Sequence, residues 1–266
     1  MSALSRLRLL TLNTWGFRWP LGRDRDLRLS RLASHLRVSD YDVVALQELW
    51  GSSPARLAGS GLGWVGQDAE VARRHRRDAH GLGLKVRPGV GAERTHVESF
   101  AAGASFDLLK SKGFEIAHVD VGHTRVAVVN THLQAGPRFA RVRRHQLAQL
   151  LTAVAGLAAP VVLTGDFNLF GDSHEDRAAH AELAGAGFVD ASETLDRPEP
   201  TWRSANPYVS PSDPDERFDR VYLRDGAGEG GPRLVARDIA VLVDHAAPLS
   251  DHEALAVTIA VAPREA

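Results

Sequence analysis

The chain has 266 residues, with 32 basic and 33 acidic side chains and no cysteine. That length can bury one large core, while the missing cysteine excludes a disulfide framework and thiol chemistry. The formal net charge of -1 lacks the basic excess common in nucleic-acid binders, and no stretch approaches the roughly 18 apolar residues of a membrane-spanning helix.

Residues 6–13 (RLRLLTLN) alternate partly and close on Asn13, which predicts a first strand. Residues 24–39 set Leu27, Leu29, Leu32, Leu36 and Val38 among arginines and aspartates, the pattern of an amphipathic helix. Residues 41–47 (YDVVALQ) predict a second strand with Glu48 at its C-terminal end. Residues 51–80 read as loop and short helix and hold the run Arg73-Arg74-His75-Arg76-Arg77, either a phosphate grip or a solvated face. Residues 81–86 predict a strand weakened by glycine, and 92–113 carry no clear period.

Residues 114–120 and 124–131 predict a hairpin. Residues 138–157 predict the best helix, with Val142, Leu147, Leu150, Leu151, Val154 and Leu157 on or near one side. Its arginines, Arg138, Arg141, Arg143 and Arg144, fall on the polar side, ion-paired or solvated. Residues 160–165 (PVVLTG) predict a buried strand opening onto Asp166, and 173–185 a helix closed by Gly185 or Gly187. Residues 196–216, with five prolines, read as loop. Strands follow at 218–223, 235–243 and 253–261, the last just after Asp251-His252. Asp244-His245 repeats that dipeptide in a loop, where a structural or exposed role is expected. The order of elements predicts a mixed α/β protein, in one domain over 1–266.

Polar residues gather where the apolar runs end: Asn13, Glu48, His132, Asp166, Asn168, Asp251 and His252. Such groups are costly inside a core unless they work there, and a metal-assisted hydrolase needs this set. In order along the chain, LNTW, LQELW, NTHLQ, GDFN, FDRVYL and SDHEAL resemble the motifs of the endonuclease/exonuclease/phosphatase superfamily, which includes DNase I and the neutral sphingomyelinases. The resemblance runs from residue 7 to about residue 260. NTWG at 13–16, LLKSKGFEIAHVDV at 108–121 and SDHEAL near the end resemble the magnesium-dependent sphingomyelinase branch most closely.

The resemblance implies a four-layer α/β sandwich of two central mixed sheets flanked by helices, and phosphodiester hydrolysis with Mg²⁺, for which Mn²⁺ can substitute. It implies that Glu48 binds the principal metal and that Asn13 stands beside it. His132 would hydrogen-bond the phosphate, Asp166 would orient or deprotonate the attacking water, and Asn168 would hold the phosphate. Asp219 would pair with His252, the terminal histidine that serves as acid, base or phosphate ligand. Asp251 would flank that histidine on the metal side.

Chemistry supports the same set. A phosphodiester repels its nucleophile, so its oxygens must be neutralised, a water placed in line and the leaving oxygen stabilised. Hard oxygen donors such as Glu48 and Asn13 suit Mg²⁺, and the lack of HExxH or cysteine disfavours a zinc site. An Asp219–His252 pair would fix a tautomer and favour the imidazolium.

The substrate expected first is a phospholipid headgroup, with nucleic acid or a small soluble phosphoester as alternatives. Peripheral membrane contact would need exposed apolar side chains near the cleft; Phe17, Trp19, Pro20, Leu21 and Trp50 are the candidates. Residues 192–217 are polar and proline-rich where secreted bacterial sphingomyelinases carry a long apolar hairpin. A monomer is expected, and the N-terminus shows no signal peptide, which predicts a cytoplasmic protein unless one has been removed.

Overall fold

A computed structural model of the chain describes residues 5–66, 80–104, 111–228 and 230–262. Its twelve strands are β1 (Ser5–Asn13), β2 (Val43–Gln47), β3 (Gly63–Trp64), β4 (Gly83–Val86), β5 (Ala92–Ser99), β6 (Gly113–Val121), β7 (Thr124–His132), β8 (Val161–Asp166), β9 (Val189–Asp190), β10 (Asp219–Arg224), β11 (Arg233–Leu242) and β12 (Ala254–Ala262). They form two six-stranded sheets, ordered β11-β12-β1-β2-β4-β3 and β5-β6-β7-β8-β10-β9. Among the described residues, the α-helices are α1 (Arg25–Val38), α2 (Ser53–Arg56), α3 (Ala140–Ala155), α4 (His174–Gly185) and α5 (Ala191–Thr194).

Period-two patterning places the layers. Leu7 and Leu9 of β1, Val43 and Ala45 of β2, Val126 and Val128 of β7, and Val162 of β8 share one core between the sheets. The alternate residues face the helices: Leu10, Leu12, Val44 and Leu46 pack with Leu29, Leu32 and Leu36 of α1. Ala127, Val129, Val161 and Leu163 pack with Leu147, Leu150 and Val154 of α3 and Ala179 and Leu183 of α4. The central strands are thus buried on both faces, which is why their sequences alternate weakly. The result is the expected four-layer α/β sandwich.

Each sheet has one parallel pair at its centre, β1 with β2 and β7 with β8. A parallel pair needs a crossover, and α1 and α3 supply them. The C-terminal ends of all four strands therefore open on one rim. β12 runs antiparallel to β1, and β10 to β8, so both begin at that rim. The register is tight: Asn13 is level with Gln47, and Asp166 with both His132 and Asp219.

A polar tie crosses the sandwich beneath the rim. Gln47 Nε2 donates to Thr11 Oγ1 at 3.1 Å and to Asn130 Oδ1 at 2.8 Å. Asn130 Nδ2 donates to Leu46 O at 3.0 Å and to Glu115 Oε1 at 3.1 Å. Burial pushes the Glu115 carboxyl up to about 7, despite Asn130 and Arg94.

Several elements differ from expectation. The segment without a clear period contains β5, an edge strand whose apolar side chains are sparse. In α1, Leu27 and Val38 are exposed while Arg28 is fully buried. In α3, Arg143 is ion-paired, one of the two states expected for it, but inside the protein and not on a polar face: Nε and Nη2 bind both oxygens of buried Asp176 at 2.9 and 2.6 Å. His245 is pinned to Glu253 Oε1 at 3.1 Å, the structural role expected for it. The basic run at 73–77 lies outside the described residues. No helix among the described residues is long and apolar enough to cross a membrane.

Candidate active site

The rim gathers the strand-end residues into one cleft. Asp166, at the end of β8, is its hub. Asp166 Oδ2 accepts from Asn13 Nδ2 at 2.9 Å, faces His132 Nε2 at 3.2 Å and lies 3.9 Å from His252 Nε2. Its Oδ1 accepts from the backbone N–H of Asn168 at 3.0 Å. Asp166 caps no helix, since α4 begins eight residues on with Ser173 as its cap, accepting from Asp176 N at 3.2 Å. Burial opposes ionisation of Asp166, but His132 and then His252 hold its carboxyl well below the usual carboxylate range.

Asp219 opens β10, fully buried, and its Oδ2 accepts from His252 Nδ1 at 2.7 Å. Burial disfavours the His252 imidazolium, yet Asp219 first and Asp166 next outweigh it and raise the group to about 10. The dyad is held from a third side. Thr201 Oγ1 donates to Asp219 Oδ2 at 2.7 Å, Glu253 N donates to Thr201 O at 2.7 Å, and Trp202 stands edge-on to the His252 ring with centroids 5.0 Å apart. Asn206 Nδ2 donates to Ser250 O at 3.0 Å and reaches Asp251 O at 3.3 Å, closing the SDHE turn. The proline-rich segment at 196–216 is therefore a brace for the histidine.

Glu48 follows β2 with a left-handed backbone, φ +56°, as does Asn168 after β8, φ +50°. Non-glycine residues rarely adopt this region, and such strain collects at functional sites. Gly16 makes room for it: a Cβ there would meet Glu48 O at 2.1 Å. Glu48 Oε1 lies 4.0 Å from His132 Nε2, and burial raises the carboxyl, with Asp251 and Asp166 adding to the rise against His132 and Lys112. Asp251 Oδ1 accepts from Ser250 Oγ at 2.9 Å. Asn168 Nδ2 donates to Leu133 O at 3.2 Å, and Asn13 Oδ1 accepts from Trp15 N at 3.0 Å.

The donor set fits a hard cation. Glu48 Oε2 is buried without a hydrogen-bond partner, and an orphaned carboxylate oxygen of raised basicity is a cation's natural ligand. Among the described residues, no group of three or more His, Asp or Glu side chains is arranged to hold a metal ion by itself. An ion at Glu48 would therefore take its other ligands from water and substrate oxygens. Asn13 is mostly committed: its amide nitrogen holds Asp166, leaving one lone pair on Oδ1.

Sequence reasoning did not single out Lys112, Thr201 or Arg28. Lys112 Nζ lies 2.7 Å from His132 Nε2 and donates to Leu133 O at 2.8 Å. Its signal was the scarcity of lysine, present only at 85, 110 and 112. Arg28 donates to Thr14 O at 2.7 Å and Trp15 O at 2.8 Å, fixing the chain just after Asn13. Nothing separates Arg28 from its arginine neighbours by type, and Thr201 lay in a segment read only as loop.

The two layered sheets define a DNase I-like α/β sandwich. The chain belongs to the Endonuclease/Exonuclease/phosphatase family, whose model matches residues 10–252, a family of hydrolases acting on phosphodiester bonds. It is 27% identical over 183 residues to the Drosophila melanogaster protein named "Putative neutral sphingomyelinase". That match covers 62% of this chain and 40% of the relative, so the chain spans well under two thirds of that protein's length. Among solved structures, D. rerio TDP2 complexed with a single-strand DNA product has a TM-score of 0.74 at 23% identity, over 96% of this chain and 99% of that one. Sphingomyelinase C from Streptomyces griseocarneus has a TM-score of 0.65 at 22% identity, over 97% of this chain and 99% of that one. At those identities the likeness concerns the fold.

Proposed function

We propose that the protein is a Mg²⁺-dependent phosphodiesterase that hydrolyses a phospholipid headgroup in the manner of a sphingomyelinase, by in-line attack of water. The observation that carries this reading is the convergence of two imidazoles on the Asp166 carboxylate, with Asp219 behind the second of them.

Glu48 would hold the metal, with Asn13 Oδ1 and Asp251 as neighbouring oxygen donors. When bound, the cation neutralises the phosphoryl oxygens and polarises the phosphorus. Asp166, kept ionised by its two imidazole neighbours, aims or deprotonates the attacking water. His132, with Lys112 beside it, and Asn168 face the phosphate. His252, held as imidazolium by Asp219, stabilises growing negative charge and can protonate the leaving oxygen. Asn13 also positions Asp166. The sphingomyelinase-named relative and the motifs NTWG and SKGFEIAHVDV favour a lipid headgroup over nucleic acid.

The test is a substrate panel under Mg²⁺, Mn²⁺ and chelator: sphingomyelin in mixed micelles, lysophospholipid, supercoiled plasmid, abasic duplex and inositol phosphates. Metal-dependent release of phosphocholine from sphingomyelin is expected. Cleavage of plasmid with sphingomyelin untouched would reverse the choice of substrate.

A further inference from the structure

We infer that the loop after Asn13, with Trp19 and Leu21 at its tip and Leu27 beside it, docks the enzyme on a phospholipid surface. This rests on the headgroup reading above.

Exposure singles the loop out. Trp19 is 79% exposed, Leu21 56% and Leu27 51%. The other large exposed apolar side chains among the described residues, Val38, Val97, Val189 and Val243, are single valines scattered over the surface. A scattered valine needs no explanation, whereas a Trp and two Leu in nine positions form a patch. Of the five side chains expected to contact a membrane, the structure exposes Trp19, Pro20 and Leu21. It turns Phe17 and Trp50 toward each other, with ring centroids 5.7 Å apart, as the root of the loop.

The tip is preformed. Leu21 N and Gly22 N both donate to Arg18 O, at 2.9 and 3.1 Å, closing a tight turn. A Cβ on Gly22 would meet Phe17 O at 2.4 Å, so the turn needs glycine there. At its base, Gly16 N donates to Glu48 O at 3.0 Å. That bond ties the base of the loop to the main chain of the residue proposed to hold the metal.

Charge matches a lipid interface. Trp19 and Leu27 line an open groove of about 530 Å³ with Arg18, Arg25, Arg56, Asp24 and Asp26, and there Asp26 pairs with both Arg25 and Arg56. Arg18 and Arg23 are exposed, and Arg56 is 53% exposed. Apolar side chains beside the exposed guanidinium groups of Arg18 and Arg23, which donate to neutral oxygens of Ser52 and Pro207, suit the boundary between acyl chains and phosphate headgroups. Single-stranded nucleic acid is disfavoured, because of the three apolar side chains only Trp19 offers a π face on which a base could stack.

The experiment compares the full chain with its Trp19→Ser/Leu21→Ser variant. Cosedimentation with vesicles of phosphatidylcholine and sphingomyelin in equal parts reads docking, and turnover of bis-(p-nitrophenyl) phosphate reads the catalytic cleft. Wild type should sediment, and the variant should lose roughly tenfold in vesicle affinity with turnover of the soluble ester unchanged. Wild type left in the supernatant, equal sedimentation of both proteins, or equal loss of the soluble activity would overturn docking by this loop. Loss of oligonucleotide binding in the variant, without vesicle binding by wild type, would also overturn it. Sphingomyelin in detergent micelles separates the two readings. Turnover there with loop-independent vesicle binding ends the docking assignment alone. Loop-dependent vesicle binding without turnover upholds docking and ends the headgroup reading alone.

Discussion

His252 donates from Nδ1 to Asp219 Oδ2 at 2.7 Å, and its other nitrogen looks toward Asp166 at 3.9 Å. The ring is thus oriented from behind and charged from both sides. Asp219→Asn keeps the shape and removes the strongest of the charges that raise His252. The imidazolium persists in wild type until pH rises through about 10. In the variant the alkaline limb of kcat/KM should move toward neutral pH, and turnover at pH 7 should fall about a hundredfold or more. A pH–rate profile checks this, and an unmoved limb would remove His252 as the titrating acid.

Thr201 touches no substrate in the proposed scheme; it acts through Asp219. Thr201→Val removes a 2.7 Å hydrogen bond to the oxygen that also serves His252. The loss should be about 1 kcal/mol, seen as a several-fold drop in kcat with KM little changed and a small acid-ward shift of the alkaline limb. Thr201→Ser should restore both, whereas a merely structural threonine would leave the limb in place.

Glu48→Gln separates metal binding from folding. Burial works against the Glu48 charge, so the neutral amide should leave the metal-free melting temperature unchanged or higher. Mg²⁺ affinity by calorimetry and turnover should both collapse, turnover by about a hundredfold or more. Chelator should lower the melting temperature of wild type in Mg²⁺ buffer and leave the variant's alone. A variant that unfolds yet keeps its metal-dependent rate per folded molecule would refute the ligand assignment.

Glu115 predicts a stability effect with a definite sign. Its carboxyl is raised from 4.5 to about 7 in the folded chain, so folding favours the protonated form. Its favourable contribution is complete below pH 4.5 and is lost as pH rises through about 7, a change of roughly 3 kcal/mol. Glu115→Gln keeps an acceptor for Asn130 and should flatten urea-derived stability between pH 5 and 8. A variant with the wild-type slope would exclude Glu115 as the source.

The buried Arg143–Asp176 pair is a folding determinant. Arg143→Met strands the Asp176 charge, which costs about 3–5 kcal/mol. The double variant with Asp176→Asn should recover much of that loss in urea denaturation. If the double variant is no more stable than Arg143→Met, the pair is not what holds α3 to α4.

Much of the candidate site was legible because its residues sit at strand ends, where an apolar run stops on a polar side chain. Asn13, Glu48, His132 and Asp166 announce themselves this way. His252 and Asp251 stand just ahead of a strand, and Asp219 opens one. The braces were not legible. Thr201, Trp202 and Asn206 lie in a proline-rich stretch without period, and their value comes from where the chain returns. The burial of Arg28 and Arg143 was hidden for the opposite reason, since arginine on an amphipathic helix usually faces water. Here their guanidinium groups satisfy inward carbonyls and a buried carboxylate. Edge strand β5 escaped because only a partner strand, not an apolar face, defines it.

The cleft straddles the joint between the sheets. Asn13, Glu48 and His252 come from one sheet, and His132, Asp166, Asn168 and Asp219 from the other. Gln47 and Asn130 fasten the two just below. The protein is in effect built like a hinge held shut, with the proposed working parts divided between the leaves. A small slip of one sheet over the other would separate Asp166 from Asn13 and His252 while leaving each sheet's own ladder intact. Catalysis should therefore fail in mild denaturant or under pressure before the strands lose their pairing.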